Sequence, residues 1–396
     1  MSDLITLSRP GLVSALGAGT ETTRERLFAG DTSGMIAEAG WLRDTAAARV
    51  GRHVGTLQPL PGSDWYRRHA SRNNQLLLTA FAQIEDDFRI MLERFGAGRI
   101  GVVLGTSTSG VAEGEAAIAA HARDGCLPDS FAYEQMEIGD PAVFLARHLG
   151  TGGPAYTVST ACTSGGKALV SARLLIASGF CDAVVTGGVD SLCKLTVGGF
   201  TALESISPEI CQPLSRNRRG INIGEGAALF LMTAGSGPVA LLGIGESSDA
   251  HHISAPEPQG RGAEAAMRAA LADAGLAPTA ISYLNLHATA TPKNDAMESL
   301  AVARVFPDGI PVSGTKPMTG HALGAAGALE AAFCWLALTD PAGRLPRHVW
   351  DGEADPTLPR LDTVTWGRCF TKGRRVAMSN SFAFGGNNLS LILGVA

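Results

Sequence analysis

Residues 154–170 read PAYTVSTACTSGGKALV. A β-rich run, AYTVST, breaks at Cys162 into small residues, and a helical pattern, KALVSARLLIASG, follows at once. Aromatic and β-branched residues suit a strand, and the glycines mark the turn out of it. A cysteine at such a seam is either a packed core thiol or a nucleophile lifted on a sharp turn. The second reading has a physical basis. Unpaired N–H groups and the dipole at a helix N-terminus favour thiolate, which predicts a lowered thiol pKa. Thr163, Ser164, Gly165 and Gly166 would let another molecule approach the backbone closely.

The same alternation of strand and helix patterns runs through the chain, which predicts an α/β protein with helices packed on mixed or parallel sheets. Candidate strands are RIGVVLGT, AYTVST, DAVVTGGV, AALFLMT, ISYLNLHA, IPVSGTK and RVAMSNSF. Candidate helices are RNNQLLLTAFAQIEDDFRIMLERF, KALVSARLLIASG, GRGAEAAMRAALADAG and GAAGALEAAFCWLAL. With 396 residues, 45% of them hydrophobic, the chain can bury a large core. A net charge of -5 and the lack of a Lys/Arg run argue against nucleic-acid binding and against an anionic membrane surface. The opening MSDLITLSRP does not read as a secretory signal, and no run reaches the ~18 apolar residues of a membrane span. Seven scattered cysteines without a CxxC predict no disulfides and a cytoplasmic setting.

TAGSGPVA (233–240) divides the chain into residues 1–235 and 236–396, and the two parts resemble each other. RIGVVLGTSTSG and PAYTVSTACTSGGKALVSARLLI come first; AISYLNLHATATP and IPVSGTKPMTGHALGAAGALEAAFCWL follow. Gly105 aligns with His287 and Ser159 with Ser313, which leaves about 28 extra residues in the first part. RDGCLPDSFAYEQMEIGDP is the expected insertion. Two facing halves would bring both sets of strand ends to one central site.

His287, in LNLHATATPKNDAMES, and His321, in SGTKPMTGHALGAAGALEA, then fall at repeat-matched strand ends. Singly each is better explained as a surface or hydrogen-bonded core histidine; together with Cys162 they suggest nucleophilic chemistry with nearby proton and oxyanion handling. MSNSFAFGGNNLSL reads as a glycine turn whose N–H groups are free for an oxyanion, or as an ordinary hairpin. The adjacent His251 and His252 lack partners at metal-ligand spacing, so no metal is expected. GTSTSG matches no nucleotide-binding pattern.

Cys162 in TACTSG, His287 in HATATPKNDAMES, Lys316 and His321 in GTKPMTGHALGAAGALEA, and the NSFAFGGNN turn occur in the order found in a known family. The chain resembles an elongating β-ketoacyl-acyl carrier protein synthase of the dissociated, type II kind, over nearly its whole length. The resemblance implies a thiolase-like fold, a duplicated αβαβα five-layer sandwich, usually dimeric. It implies that Cys162 accepts the acyl group, with its own N–H and that of Phe382 as the oxyanion hole. It further implies that His287 and His321 bind the malonyl thioester and promote loss of carbon dioxide. Lys316 and Glu330 match a supporting ion pair beside the second histidine. Thr289 and Thr291 match positions that grip the pantetheine arm, Phe382 and Phe384 belong to the gate, Gly385 and Gly386 border the substrate, and Thr108 stands near the acyl tunnel. No cofactor is implied, since phosphopantetheine arrives on an acyl carrier protein. The partner in the dimer would be a second copy or a ketosynthase-like paralogue.

The chain departs from the family pattern at Ala288, Ala383, Asn387 and Lys167, and at Leu214 and Ser215, which put the gating loop in doubt. HATATPKNDAMES and FAFGGNN look most like synthases of aryl polyene clusters. The rivals are a non-catalytic chain-length-factor partner, which generally lacks the nucleophile, and a thiolase, which would need a second cysteine where Cys369 does not fit. A Cys/His hydrolase has no matching motif order. Arg67, Arg68 and Arg72 are candidate contacts for an acidic carrier protein.

Overall fold

The structure, a computed structural model, describes residues 4–42, 46–371, 373 and 375–396, so the first three residues of the opening stretch lie outside it. The first half contributes β1 (Ile5–Leu7), β2 (Gly11–Ser14), β3 (Ile100–Gly105), β4 (Ala155–Val158), β5 (Ala183–Asp190) and β6 (Gly226–Ala234). The second contributes β7 (Val239–Ser248), β8 (Tyr283–Asn285), β9 (Pro311–Ser313), β10 (Val376–Phe382) and β11 (Asn387–Val395). The first sheet runs β4-β3-β5-β6-β2 and the second β9-β8-β10-β11-β7. In each, the first two pairings are parallel and the last two antiparallel. The weak sequence repeat is therefore a repeat of topology. β1 pairs with both β6 and β7 and joins the sheets.

The helices that build the layers are α1 (Arg72–Phe81), α2 (Asp140–Leu149), α3 (Ser164–Ala177), α4 (Arg261–Ala274), α5 (Pro292–Val305) and α6 (Ala326–Leu338). One core packs Leu76, Leu77 and Phe144 of α1 and α2 on the outer face of the first sheet. A second packs Met267, Ala270 and Val302 of α4 and α5 outside the other sheet. Between the sheets lie α3 and α6 in the third and largest core. Every residue of α6 is buried, as a helix apolar on all sides requires. This is the thiolase-like five-layer sandwich.

Small residues let the central layer close. A Cβ on Gly327 of α6 would lie 2.9 Å from the Gly166 amide of α3, and one on Gly165 would lie 2.9 Å from the Gly324 carbonyl. The glycines after Cys162 thus admit the other half of the chain, not a visiting molecule.

Other expectations shift. The single helix read over 72–95 is two, Arg72–Phe81 and Glu85–Phe95. Between them Gln83 turns its amide to both the N–H and C=O of Leu12, taking up backbone groups of β2. The insertion is longer on its N-terminal side than expected. It includes the helix Val111–Asp124, because α2 is the segment that packs on β3 and β4 as the first half's outer layer. Strands β7 and β11 went unread. Among the described residues, no helix is long and apolar enough to cross a membrane.

Candidate active site

The chain leaves β4 and turns through Ala161, which holds a left-handed φ of 54°, into Cys162 and the helix cap Thr163. Ser164 Oγ accepts from the Thr160 N–H at 2.9 Å and fixes this turn. Cys162 is buried, and its Sγ lies 3.0 Å from His321 Nε2. The ligand atoms of Cys162, His287 and His321 all lie within 4.8 Å of one another. They sit in a cavity of about 310 Å³ that Thr289, Thr291, Phe382 and Phe384 also line.

His287 follows β8. Glu298 grips the turn by accepting from the His287 and Ala288 amides at 2.8 and 2.7 Å. Ala288, where the family pattern has glycine, takes a φ of 39°, and Ala290 one of 61°. Such backbone costs a non-glycine residue about 1 kcal/mol each and must be held in place. Asp295 helps, accepting from the Ala290 amide at 3.1 Å. His321 is held from both sides by strand-like bonds, its N–H to Asn222 O at 2.7 Å and its carbonyl from the Gly224 N–H at 2.9 Å.

Lys316 is buried, bonded to Glu330 and to the His287 carbonyl, with its Nζ 3.4 Å from His287 Nδ1. It therefore supports the first histidine, not the second as expected. An ammonium beside Nδ1 makes that nitrogen the acceptor and leaves the hydrogen on Nε2. Burial pushes the His287 pKa well below its usual value, and the charge of Lys316 adds to this. His321 is depressed for the same two reasons. Glu330 is lifted to about 7 by burial, against the pull of Lys316.

The thiol corrects the first expectation. Burial pushes Cys162 up to about 12, and Lys316 opposes this only in part. Desolvation outweighs the helix terminus, so the resting trio is a thiol and two neutral imidazoles.

The glycine turn also corrects its reading. The Gly385 N–H is bonded to Ile253 O and the Gly386 N–H to Ala383 O, so neither is free. Phe382 lies within β10, with its ring 6.1 Å from that of His287. The N–H directed at Cys162 Sγ is that of Phe384, whose ring packs against Phe200 at the cavity. The amide that faces the sulfur is therefore that of Phe384, two residues beyond the expected Phe382. Two residues that the sequence reading missed hold this turn. Asp249 accepts from Asn388 Nδ2 at 2.7 Å and its N–H donates to Gly386 O at 2.8 Å.

Other expected residues lie elsewhere. Thr108 is buried with its hydroxyl and N–H on Asp190, not among the residues lining the cavity, because a short hydroxyl beside a buried carboxylate bonds there. Arg72 is taken by the buried carboxylate of Glu225. Arg67 pairs with Asp64 and Arg68 with Glu134, so this stretch is not a free basic patch. Ser215 hydrogen-bonds Asp351, and Arg216 and Arg218 pair with Glu353 and Asp355, so these three side chains are engaged with the segment 351–355. Lys167 on α3 pairs with Glu246. Cys369 and the His251–His252 pair are exposed. The sequence signal for Asp249 and Asn388 is a polar side chain where strands β7 and β11 meet a turn, visible only once both strands are recognised.

The Beta-ketoacyl synthase N-terminal domain model matches residues 64–236 and the C-terminal domain model residues 239–348. The chain is 32% identical over 343 residues to a 3-oxoacyl-[acyl-carrier-protein] synthase 2 of Staphylococcus aureus, covering 82% of each. It is 37% identical over 265 residues to nodulation protein E of Rhizobium meliloti, covering 62% of this chain and 63% of that one. Among solved structures, a ketosynthase in complex with its chain length factor from Xenorhabdus doucetiae superposes with a TM-score of 0.94 at 44% identity, covering 100% of this chain and 98% of that one.

Proposed function

This chain belongs to the beta-ketoacyl synthase family, as an acyltransferase of the 3-oxoacyl-acyl carrier protein synthase kind that acts in chain elongation, and we propose how its residues divide the work. Cys162 attacks an acyl thioester delivered by a carrier protein. As the carbon–sulfur bond forms, the thiol proton passes to His321 Nε2, 3.0 Å away, and leaves on the departing pantetheine thiol. The N–H groups of Cys162 and Phe384 receive the oxyanion. A malonyl thioester then enters, its arm gripped by Thr289 and Thr291, whose hydroxyls lie 2.9 Å apart in the cavity wall. His287, with its hydrogen on Nε2, donates to the thioester oxygen, and His321 joins it in the Nε2–H tautomer, which the acylated Cys162, no longer carrying an S–H, leaves open. Carbon dioxide departs, and the enolate carbon bonds to the acyl carbon. The bond to Cys162 breaks, and the thiolate takes up one proton from water entering the cavity, the proton the condensation consumes overall, so that the resting thiol is restored and His321 stays neutral. Lys316 and Glu330 keep His287 in the donating tautomer.

A neutral donor pair is the right electrostatics for this step, because the negative charge of the malonyl carboxylate must be released, not stabilised. The observation that carries the reading is the convergence of Cys162, His287 and His321 within 4.8 Å in the wall of one cavity. No cofactor enters these steps, and the pantetheine arrives on its carrier.

For the partner we propose a ketosynthase-like paralogue of the chain-length-factor kind, in a cytoplasmic pathway of aryl polyene type. The similarity to the Xenorhabdus ketosynthase and the HATATPKNDAMES and FAFGGNN motifs support this. So does the edge of the first sheet. β4 ends it with ladder groups engaged on one side only, and Val143, Tyr156, Leu174 and Phe180 around it are exposed. An open strand flanked by exposed apolar side chains invites strand addition. The test is size-exclusion mass measurement of this chain alone and co-expressed with the paralogue, followed by elongation assays with acyl and malonyl carrier proteins. A 1:1 heterodimer with the higher condensation rate is expected. A homodimer that is equally active and ignores the paralogue would overturn the partner assignment.

A further inference from the structure

Asp190 ends β5, and its carboxylate is wholly buried. One oxygen, Oδ1, accepts from Thr106 Oγ1 at 2.6 Å and from the Ser107 N–H, the Thr108 N–H and Thr108 Oγ1, each at 2.8 Å. The other, Oδ2, accepts from the Gly324 N–H at 2.5 Å. The two oxygens serve different halves of the molecule. Oδ1 gathers the turn after β3 in the first half; Oδ2 reaches the turn just after His321 in the second.

That second turn has to be held. Leu323 adopts a φ of 43°, a left-handed conformation unfavourable for a side-chain-bearing residue. Gly324 lies flush on the first half, since a Cβ there would stand 2.7 Å from the Ser107 amide nitrogen. The N–H of His321 is fixed by the Asn222 carbonyl and its own carbonyl by the Gly224 N–H. Beyond that carbonyl, where Leu323 and Gly324 lead into the central helix, the Asp190 carboxylate adds a further anchor across the halves.

We infer that Asp190 is a positioning residue that sets the distance between His321 and Cys162. It never touches the cavity and acts on the chemistry through the backbone of Gly324. A carboxylate suits the place because both oxygens must accept. An amide at Oδ2 would turn an N–H toward the Gly324 N–H, and two facing donors would push the His321 turn away. The inference rests on the role proposed above for His321.

The experiment is a double-mutant cycle of Asp190→Asn and His321→Ala, reading kcat and KM for condensation together with the thermal midpoint. Asp190→Asn alone is expected to lower kcat about 100-fold, the scale of a misplacement of about 1 Å, with KM for the malonyl carrier protein within about twofold. In the His321→Ala background the same change should lower kcat by less than about threefold, because the group it positions is gone. A full loss retained in that background, or an unchanged kcat in the single variant, overturns the inference. A His321→Ala enzyme that condenses normally would instead overturn the role of His321 itself. Should Asp190→Asn fail to fold, Thr108→Val, which removes one donor to Asp190 and keeps its shape, replaces it in the cycle. The expected loss is then about fivefold alone and none in the His321→Ala background, and equal losses in both backgrounds overturn the inference.

Discussion

The two halves run the same strand order with the same pairing senses, yet their equivalent strand ends do opposite things. At the end of β3 stands Gly105; at the aligned end of β8 the chain reaches His287. A Cβ on Gly105 would lie 2.3 Å from the Gly165 amide nitrogen, because the helix carrying the nucleophile seals that strand end. The equivalent end in the second half opens into the cavity and has room for an imidazole. The turns into the central helices diverge likewise, one presenting Cys162 and the other Lys316 and His321. Duplication supplied two scaffolds, and steric access decided which carries the nucleophile and which the donors.

The sharpest way to break this comparison is to close the sealed strand end further. Gly105→Ala is expected to cost at least about 3 kcal/mol of stability, read as a shift in denaturant midpoint, since backbone cannot move aside cheaply. A smaller effect concerns the turn that faces both halves. Gly386→Ala places a Cβ 2.9 Å from that of Asp249 at a φ of 77°, so the Phe384 N–H should lose its aim. Condensation kcat should fall about tenfold or more, while Phe382→Leu should change it by less than about threefold. The reverse ranking would return the oxyanion role to Phe382. Smallest of all is Ala288→Gly. Relief of left-handed strain and the added chain entropy of glycine oppose each other, so the midpoint should move by no more than about 0.5 kcal/mol.

Much of this site was legible because its chemistry is local in sequence. A cysteine between a strand and a small-residue helix, and two histidines at matched strand ends, are visible as patterns. What the sequence concealed depends on burial and on distant partners. The thiol pKa follows from desolvation that no local motif reports. Arg72 looks like a surface cation until Glu225, far along the chain, takes it. Thr108 looks like a tunnel residue until Asp190 claims its hydroxyl. Phe382 and Phe384 differ by two positions, and only the geometry of the turn shows which amide faces the sulfur. β7 and β11, interspersed with polar residues and glycine, were missed, and with them the Asp249–Asn388 pair that holds that turn.

The central claim is a division of labour: the first half holds the acyl group and the second half activates the extender. It is tested most directly by intact-protein mass measurement after exposure to acyl carrier protein and then to malonyl carrier protein. The native chain should gain one acyl group on Cys162 and lose it when malonyl carrier protein is added. His287→Ala should gain the same adduct and keep it, and Cys162→Ala should gain none. An adduct on Cys162→Ala, or its discharge by His287→Ala at the native rate, would contradict the account.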